Sequence, residues 1–354
     1  MPLSERFDRF FAWLTDASHN LRSFSMLRIL FGIGLLFMLV PSIPERSILW
    51  GPASFWVDPE ASRRGFILFD VLISKDDPVL FELGFFALLL LAVLFTIGLG
   101  TRIVTPLMLI MLVSLQANNP YVLNGGDTLY RITLLFLVFA NLSAHYSVDA
   151  FWAKRRRRAP RSLVPPHISA AAHNAALILC GFQIIVVYVV SGIWKLTGEA
   201  WPEGTALFYA LRIDEFIIYP MINELLWQSS LLIFVATFIA LWAQTLFPLA
   251  LLWRPTRIAV LLTLMFMHTG IAVLLGLWPF SLAMIALDML FIRDSSWEWI
   301  GARARRLRQR LIPSKAALAD GTAAADADAD ADADAEAEPD AGAEAEQERM
   351  PSAS

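Results

Sequence analysis

The sequence predicts an all-α integral membrane protein, a bundle of about eight transmembrane helices with amphipathic helices along its interfaces. Three observations carry that expectation. Of the 354 residues 57% are hydrophobic, against roughly 45–50% in a soluble domain, and the mean hydropathy is +0.58. Several apolar runs reach the ~20 residues that cross a ~30 Å hydrocarbon core. These runs lack the polar–apolar alternation of barrel strands, and a helix then satisfies their backbone in lipid.

The elements follow in chain order. Residues 1–22 (MPLSERFDRFFAWLTDASHNLR) precede the first apolar run and include acids. They read as an interfacial amphipathic helix, with Phe7, Phe10, Phe11 and Leu14 on one side, rather than as a cleavable signal. The transmembrane domain covers 23–293, with spans near 24–42, 79–98, 103–117, 128–144, 172–194, 230–252, 258–277 and 280–292. Two connections on the opposite side from the N-terminus are long, 43–78 and 195–229. Their aromatic, amphipathic stretches (FWVDPEASRRGFILFDVLIS and ALFYALRIDEFIIYPMINELL) suit helices lying along the outer interface. Residues 294–315 read as a basic helix on an anionic inner leaflet. From 316 to 354 alanine alternates with aspartate and glutamate, which leaves almost nothing to bury, so this tail is predicted to be disordered.

Charge supports the count of spans. The net charge of −4 averages an acidic tail and a basic body. With both termini in the cytoplasm, the inner side receives Arg6, Arg9, Arg22, Arg102, Lys154 to Arg158, Arg161, Arg254, Arg257, Arg293 and the run from Arg303 to Arg310. Every short inner connection is then basic, as the positive-inside rule requires, and one span more or fewer would put KRRRR outside. That run is read as a topology signal and lipid-facing patch, so nucleic acid is not an expected partner. The lone cysteine, Cys180, cannot build a disulfide, a CxxC pair or a thiolate metal site within one chain, which argues against a thiol–quinone oxidoreductase. There is no HExxH, GxSxG, P-loop or GxGxxG, and the scattered histidines suggest no metal site.

Ionisable groups at or within spans are the functional candidates. Lys195 ends the run Ala175–Trp194. An ammonium at the edge of hydrocarbon must snorkel, find a partner or give up its proton, and the last option leaves a base. Beside Trp194 it equally matches an interfacial anchor. His268 sits mid-span in LTLMFMHTGIAVLL, where an imidazole is either a catalyst or a hydrogen-bonded packing element. Asp127 and Arg131, four apart, suit an ion pair along one helix face. They follow the polar loop NNPYVLNGGD on the side of Lys195, where Glu82 also falls. Asp288 has no assignment.

Four stretches in order carry a resemblance. They are SMLRILFGIGLL with Arg28; the Asn118–Asn119 pair followed by His145, Tyr146, Ser147, Val148 and Asp149; QIIVVYVVSGIWKLTGEAWPEG, with Lys195 and then Trp201, Glu203 and Gly204; and His268 in the seventh span. Over roughly residues 20–293 the chain resembles the HTTM-like family, the transmembrane domain of vitamin K-dependent γ-carboxylase and its bacterial relatives, which include sporulation-delaying protein B. The resemblance implies a multi-pass protein of a bacterial inner membrane. It implies a reduced lipid quinone as the molecule acted on, with Lys195 as the base that deprotonates it and His268 as a second catalytic residue. It also implies that Asn118, Asn119, Asp127, Arg131 and Glu203 line the site. The chain departs from the carboxylase at Trp194, where that enzyme has a second lysine, and at Pro120, where it has a histidine. It also carries an acidic tail where the carboxylase has a lumenal domain. Three functions follow from the sequence: an enzyme acting on a reduced quinone or related lipid, a non-catalytic helper for maturation or export of a secreted peptide, and a transporter.

Overall fold

The computed structural model describes residues 3–54, 77–156 and 164–311. The stretch 55–74, the arginines at 157, 158 and 161, and the acidic tail lie outside the described residues. Among those described there is no strand. The helices are α1 (Leu3–Thr15), α2 (Leu21–Leu39), α3 (Pro78–Ile97), α4 (Thr101–Ala117), α5 (Gly125–Leu137), α6 (Val148–Arg156), α7 (Pro166–Leu196), α8 (Pro220–Trp227), α9 (Ser230–Thr245), α10 (Arg254–Leu275), α11 (Trp278–Asp288) and α12 (Asp294–Leu311). Short helical turns lie at Arg46–Leu49, Pro120–Val122, Ala206–Ala210 and Phe247–Ala250. The described residues up to Asp294 form one compact unit, and Ser295 onward belongs to a second. The described part of that second unit is α12, where Trp299 and Leu307 stand exposed beside Arg303, Arg305 and Arg306.

Four helices, α2, α3, α7 and α10, are long and apolar enough to cross a membrane. A fifth candidate is α8 with α9, a pair bent by 92°. The α4 helix and the segment Trp278–Phe291 are apolar but shorter. The chain is therefore a multi-pass membrane protein. Helix ends follow local chemistry. Asp77 accepts from the N–H groups of Val79 (2.8 Å) and Leu80 (3.2 Å), with Pro78 in the first turn of α3. At its other end Gly98, at φ 74°, takes the left-handed conformation.

Two expected spans differ. The fourth, placed at 128–144, is the 13-residue α5. It starts earlier because Asn124 and Asp127 form a capping box. It stops at Leu137 because the chain beyond turns away to present carbonyls to Arg28. The sixth, placed at 230–252, is α9 followed by a break at Leu246. Pro248 has no N–H and its ring conflicts with the carbonyl four residues back, so the helix cannot run on.

The helix α2 is central, packed between α3 and α11, while α7 touches α1, α5, α9 and α11. Arg28 of α2 is fully buried. Its guanidinium donates to the carbonyls of Leu142 (3.0 Å), Phe95 (2.8 Å), Tyr146 (2.7 Å) and Thr96. Phe95 and Thr96 lie in the last turn of α3, where a cation suits the helix dipole, and Phe95 O also accepts from the Gly98 N–H (3.1 Å). Around this knot Asp149 accepts from the N–H of Gly100 (3.1 and 3.0 Å), and His145 donates its backbone N–H to Ser25 Oγ (3.1 Å). Burial and the nearby Arg22 hold the His145 imidazole below the usual histidine range.

The same end of the bundle ties down the N-terminal helix. Asn174 of α7 donates to the carbonyls of Trp13 (3.2 Å), Leu14 (2.9 Å) and Ala17 (2.8 Å), and accepts from His19 N–H (3.0 Å). His173 Nδ1 accepts from Asn141 N–H (3.0 Å), so Nε2 carries the proton and donates to His19 O (2.6 Å). Asn20 and Ser23 reach the carbonyls of Leu290 (2.7 Å) and Ile292 (3.3 Å). The starts of α2, α4 and α7 and the ends of α3 and α11 thus meet at one end.

Arg28 generates a direct prediction. Arg28→Met removes four hydrogen bonds to carbonyls, two of them in fully buried contacts, and should cost about 3 kcal/mol or more, read as a lowered thermal midpoint in detergent. Arg28→Lys, whose ammonium cannot span the same set, should recover only part of the loss. An unchanged midpoint in Arg28→Met would show that the knot is not a source of stability.

Candidate functional site

At the opposite end of α7 stands Lys195. Its Nζ donates to Ser191 Oγ, one turn back on the same helix, at 2.7 Å, and to Gln244 Oε1 of α9 at 2.5 Å. It also lies 5.0 Å from the centre of the Trp201 ring. All three partners are neutral. The helices come this close because residue 192 is glycine: a Cβ there would sit 2.9 Å from Thr245 Cα. Gln244 is nearly buried, and its Nε2 turns to Met267 Sδ at 3.2 Å. Trp194, beside Lys195, is 72% exposed, as an interfacial tryptophan would be.

His268 is adjacent in sequence to Met267 but faces deeper. It is 2% exposed, and its Nε2 lies 3.1 Å from Tyr188 Oη. Tyr188 donates to Asp288 Oδ2 at 2.9 Å. These three side chains come from α7, α10 and α11. Tyr188, Ser191 and Lys195 recur at three- and four-residue steps, which puts them on one face of α7. His268, through Tyr188, and Lys195 thus flank the same face of α7 without touching, and Gln244, which bonds Lys195, also reaches Met267, the neighbour of His268 in α10.

The other expected site residues lie apart. Asn119 is buried and donates to Leu49 O (2.7 Å) while accepting from Tyr121 N–H (3.1 Å). Asn118 is buried next to it in sequence. Asp127 accepts from the Asn124 N–H (2.8 Å) and from Gln116 Nε2 (3.0 Å). Arg131 donates to Thr128 Oγ1 at 3.3 Å, so the Asp127–Arg131 ion pair expected from spacing gives way to capping and a local bond. Glu82 pairs with Arg46 at 2.8 Å. Glu203 is exposed, on the turn that carries Trp201. The connection Asn118–Asp127 is thus held by backbone bonds and Gln116, not by Lys195.

The partners Tyr188, Ser191 and Gln244 are not among the residues the sequence singles out, whereas Trp201 falls in the stretch that carries the resemblance. The spacing of Tyr188, Ser191 and Lys195 was the available signal, together with a glutamine in an otherwise apolar run. Among the described residues no three of His, Cys, Asp and Glu converge as metal ligands do.

The Lys195–Gln244 bond can be tested by a double-mutant cycle. Lys195→Met and Gln244→Leu should be non-additive in thermal stability, with a coupling on the order of 1 kcal/mol. Strict additivity would mean the bond is not formed in the membrane.

A family model described as the HTTM domain matches residues 17–297. No curated protein and no solved structure matches the chain.

Proposed function

The chain belongs to the HTTM domain family, and from that premise we propose that it is a membrane-embedded enzyme in which Lys195 serves as a base toward an acidic hydroxyl on a lipid such as a reduced quinone. The observation that carries this reading is the partner set of Lys195. A neutral amine has two hydrogens and one lone pair, and the two hydrogen bonds to Ser191 and Gln244 use the hydrogens. With no carboxylate among these partners, loss of a proton leaves no anion stranded. A reduced quinone, when bound, supplies the acidic aromatic hydroxyl. The residues present fit such a group: Trp201 offers an aromatic wall, Gln244 and Ser191 hold the amine in place, and exposed apolar side chains of α7 such as Ile193 and Trp194 offer a surface for a lipid. Acceptors that fix the amine and leave its lone pair free for the ligand are what position it as a base. Asn118, Asn119, Asp127, Arg131 and Glu203 are not assigned to this step.

A second reading rests on a specific observation too. Trp201 at 5.0 Å from Nζ attracts a cation, and exposed Trp194 suits a headgroup layer. Lys195 is then an anchor, and the protein a non-catalytic helper for a secreted peptide. Lipid mass spectrometry on gently purified protein separates the two. The enzyme reading expects a prenyl quinone that co-purifies with the wild type and is lost from Lys195→Ala. Lys195→Arg should hold the lipid without consuming it, because guanidinium does not deprotonate. No quinone in the wild type, with a peptide captured by cross-linking instead, would favour the helper.

The proposal includes eight spans, formed by α2, α3, α4, α5, α7, α9, α10 and α11, with both termini in the cytoplasm of a bacterium. Its support is the gathering of charge. The end that carries the Arg28 knot also carries Arg22, Arg102 and Lys154 to Arg156, and Arg257 lies within electrostatic reach of Arg254 and Arg293. Cysteine placed at Asn124 should react with an impermeant thiol reagent in intact cells, and cysteine at Arg155 should be protected. The reverse pattern would overturn the orientation.

A further inference from the structure

Tyr188, His268 and Asp288 hold three titratable groups in the interior of the bundle. Asp288 is fully buried, Tyr188 is 1% exposed and His268 2%. Around them the packed elements supply rings rather than charges: Phe247 lies 4.8 Å from Tyr188, and Phe280 of α11 lies 5.6 Å from His268. Gln244 of α9 is neutral. Lys195, further along α7, is the described charged group that acts on His268 through space. Nothing in the reading of Lys195 as a base uses Tyr188 or Asp288.

The hydrogen count in this chain is restrictive. Tyr188 has one hydroxyl hydrogen, and it goes to Asp288 Oδ2. It cannot also go to His268, so His268 Nε2 must carry a hydrogen and donate to Tyr188 Oη. Both outer atoms of the chain, His268 Nδ1 and Asp288 Oδ1, are buried and have no protein partner among the described residues. An unpartnered polar atom in a membrane interior is costly. A buried carboxylate with one hydrogen bond and no cation in contact is more costly still.

We propose that Tyr188, His268 and Asp288 form a buried one-proton site that is loaded through His268 Nδ1 and stores the proton on Asp288. Loading balances atom by atom. A proton from water bonds to Nδ1. The Nε2 hydrogen passes to Tyr188 Oη, and the tyrosine hydroxyl hydrogen passes to Asp288 Oδ2. In the loaded state Asp288 donates to Tyr188, and Tyr188 donates to Nε2. Both hydrogen bonds persist with their direction reversed, the imidazole and the phenol are neutral again, and the one buried negative charge is gone. The site takes one proton and no more, because a second would create an isolated cation. Tyr188 is the relay between the two, since without its hydroxyl the imidazole and the carboxyl are not linked.

The test is infrared spectroscopy of the full chain in lipid bilayers, with carbon-13 in the aspartate carboxyl groups. The expected result is a protonated-carboxyl band that moves with the label and is absent in the isosteric Asp288→Asn. In Tyr188→Phe the band should move to a freer carboxyl frequency. After transfer to heavy water its deuterium shift should slow by on the order of tenfold or more in His268→Phe, because the entry group is gone. No label-sensitive protonated band from acid to neutral pH would overturn the proposal. A band that survives in Asp288→Asn, or exchange equally fast in His268→Phe, would do the same. Should Asp288→Asn fail to fold, the labelled wild type and Tyr188→Phe still decide it: an identical band in both places the protonated carboxyl elsewhere.

Discussion

A guanidinium buried where water does not reach, and satisfied by carbonyls rather than by an acid, organises one whole end of this protein. Arg28 sits in the first half of α2, yet its partners come from the last turn of α3 and from the loop after α5. Carbonyls at a helix terminus are the groups that a helix cannot satisfy by itself. Their combined dipole stands in for a counter-ion. Because Arg28 needs carbonyls from two directions at once, α5 must end early and the segment 138–147 must fold back. Asp149 and Ser25 then hold that segment against α4 and α2. The cost of leaving any of these groups unpaired in lipid exceeds what a regular helical continuation would gain.

The helix α7 carries the remaining polar load, in three tiers. His173 and Asn174 clip the N-terminal segment at one end, Tyr188 links α10 and α11 in the middle, and Lys195 meets α9 at the other end. At 31 residues and about 1.5 Å per residue, this helix is long enough to keep the three tiers separate. Each tier satisfies polar groups from a different neighbour, so the helix works as a spine. Its glycine at 192 brings α9 near enough for a short hydrogen bond from Lys195 to the Gln244 amide oxygen. The chemistry proposed for Lys195 thus depends on a packing contact one turn away.

Much of this was legible in the sequence, and the failures have physical causes. The spans α2, α3, α7 and α10 were readable because unbroken apolar length is a direct demand of the bilayer. The fourth span is shorter than its apolar run, which continues past Leu137, because Arg28 draws the backbone away. Pro248 falls inside the expected sixth span, and a proline within an apolar run marks a break rather than a continuous helix. Among site residues, Lys195 and His268 stood out as ionisable groups in apolar surroundings. Asn119 and Asp127 stood out as well, but their side chains are used to cap and tie backbone, which polar loop residues at helix starts commonly do. Asp288 had no assignment because its partners lie on helices distant in sequence.

The two centres differ in the kind of protonation each can sustain. Lys195 is part-exposed at the end of its helix and held by neutral oxygens, so either charge state finds partners nearby. The triad is enclosed by phenyl rings and has a fixed number of hydrogens, so it tolerates change only if its bonds reverse together. A group of the first kind can exchange protons with a ligand. A group of the second kind can hold one proton and pass it along a defined line. The glutamine that bonds Lys195 also touches Met267, the neighbour of His268. The two centres are therefore linked through one side chain, Gln244, which bonds Lys195 on α7 and touches the helix that carries the imidazole.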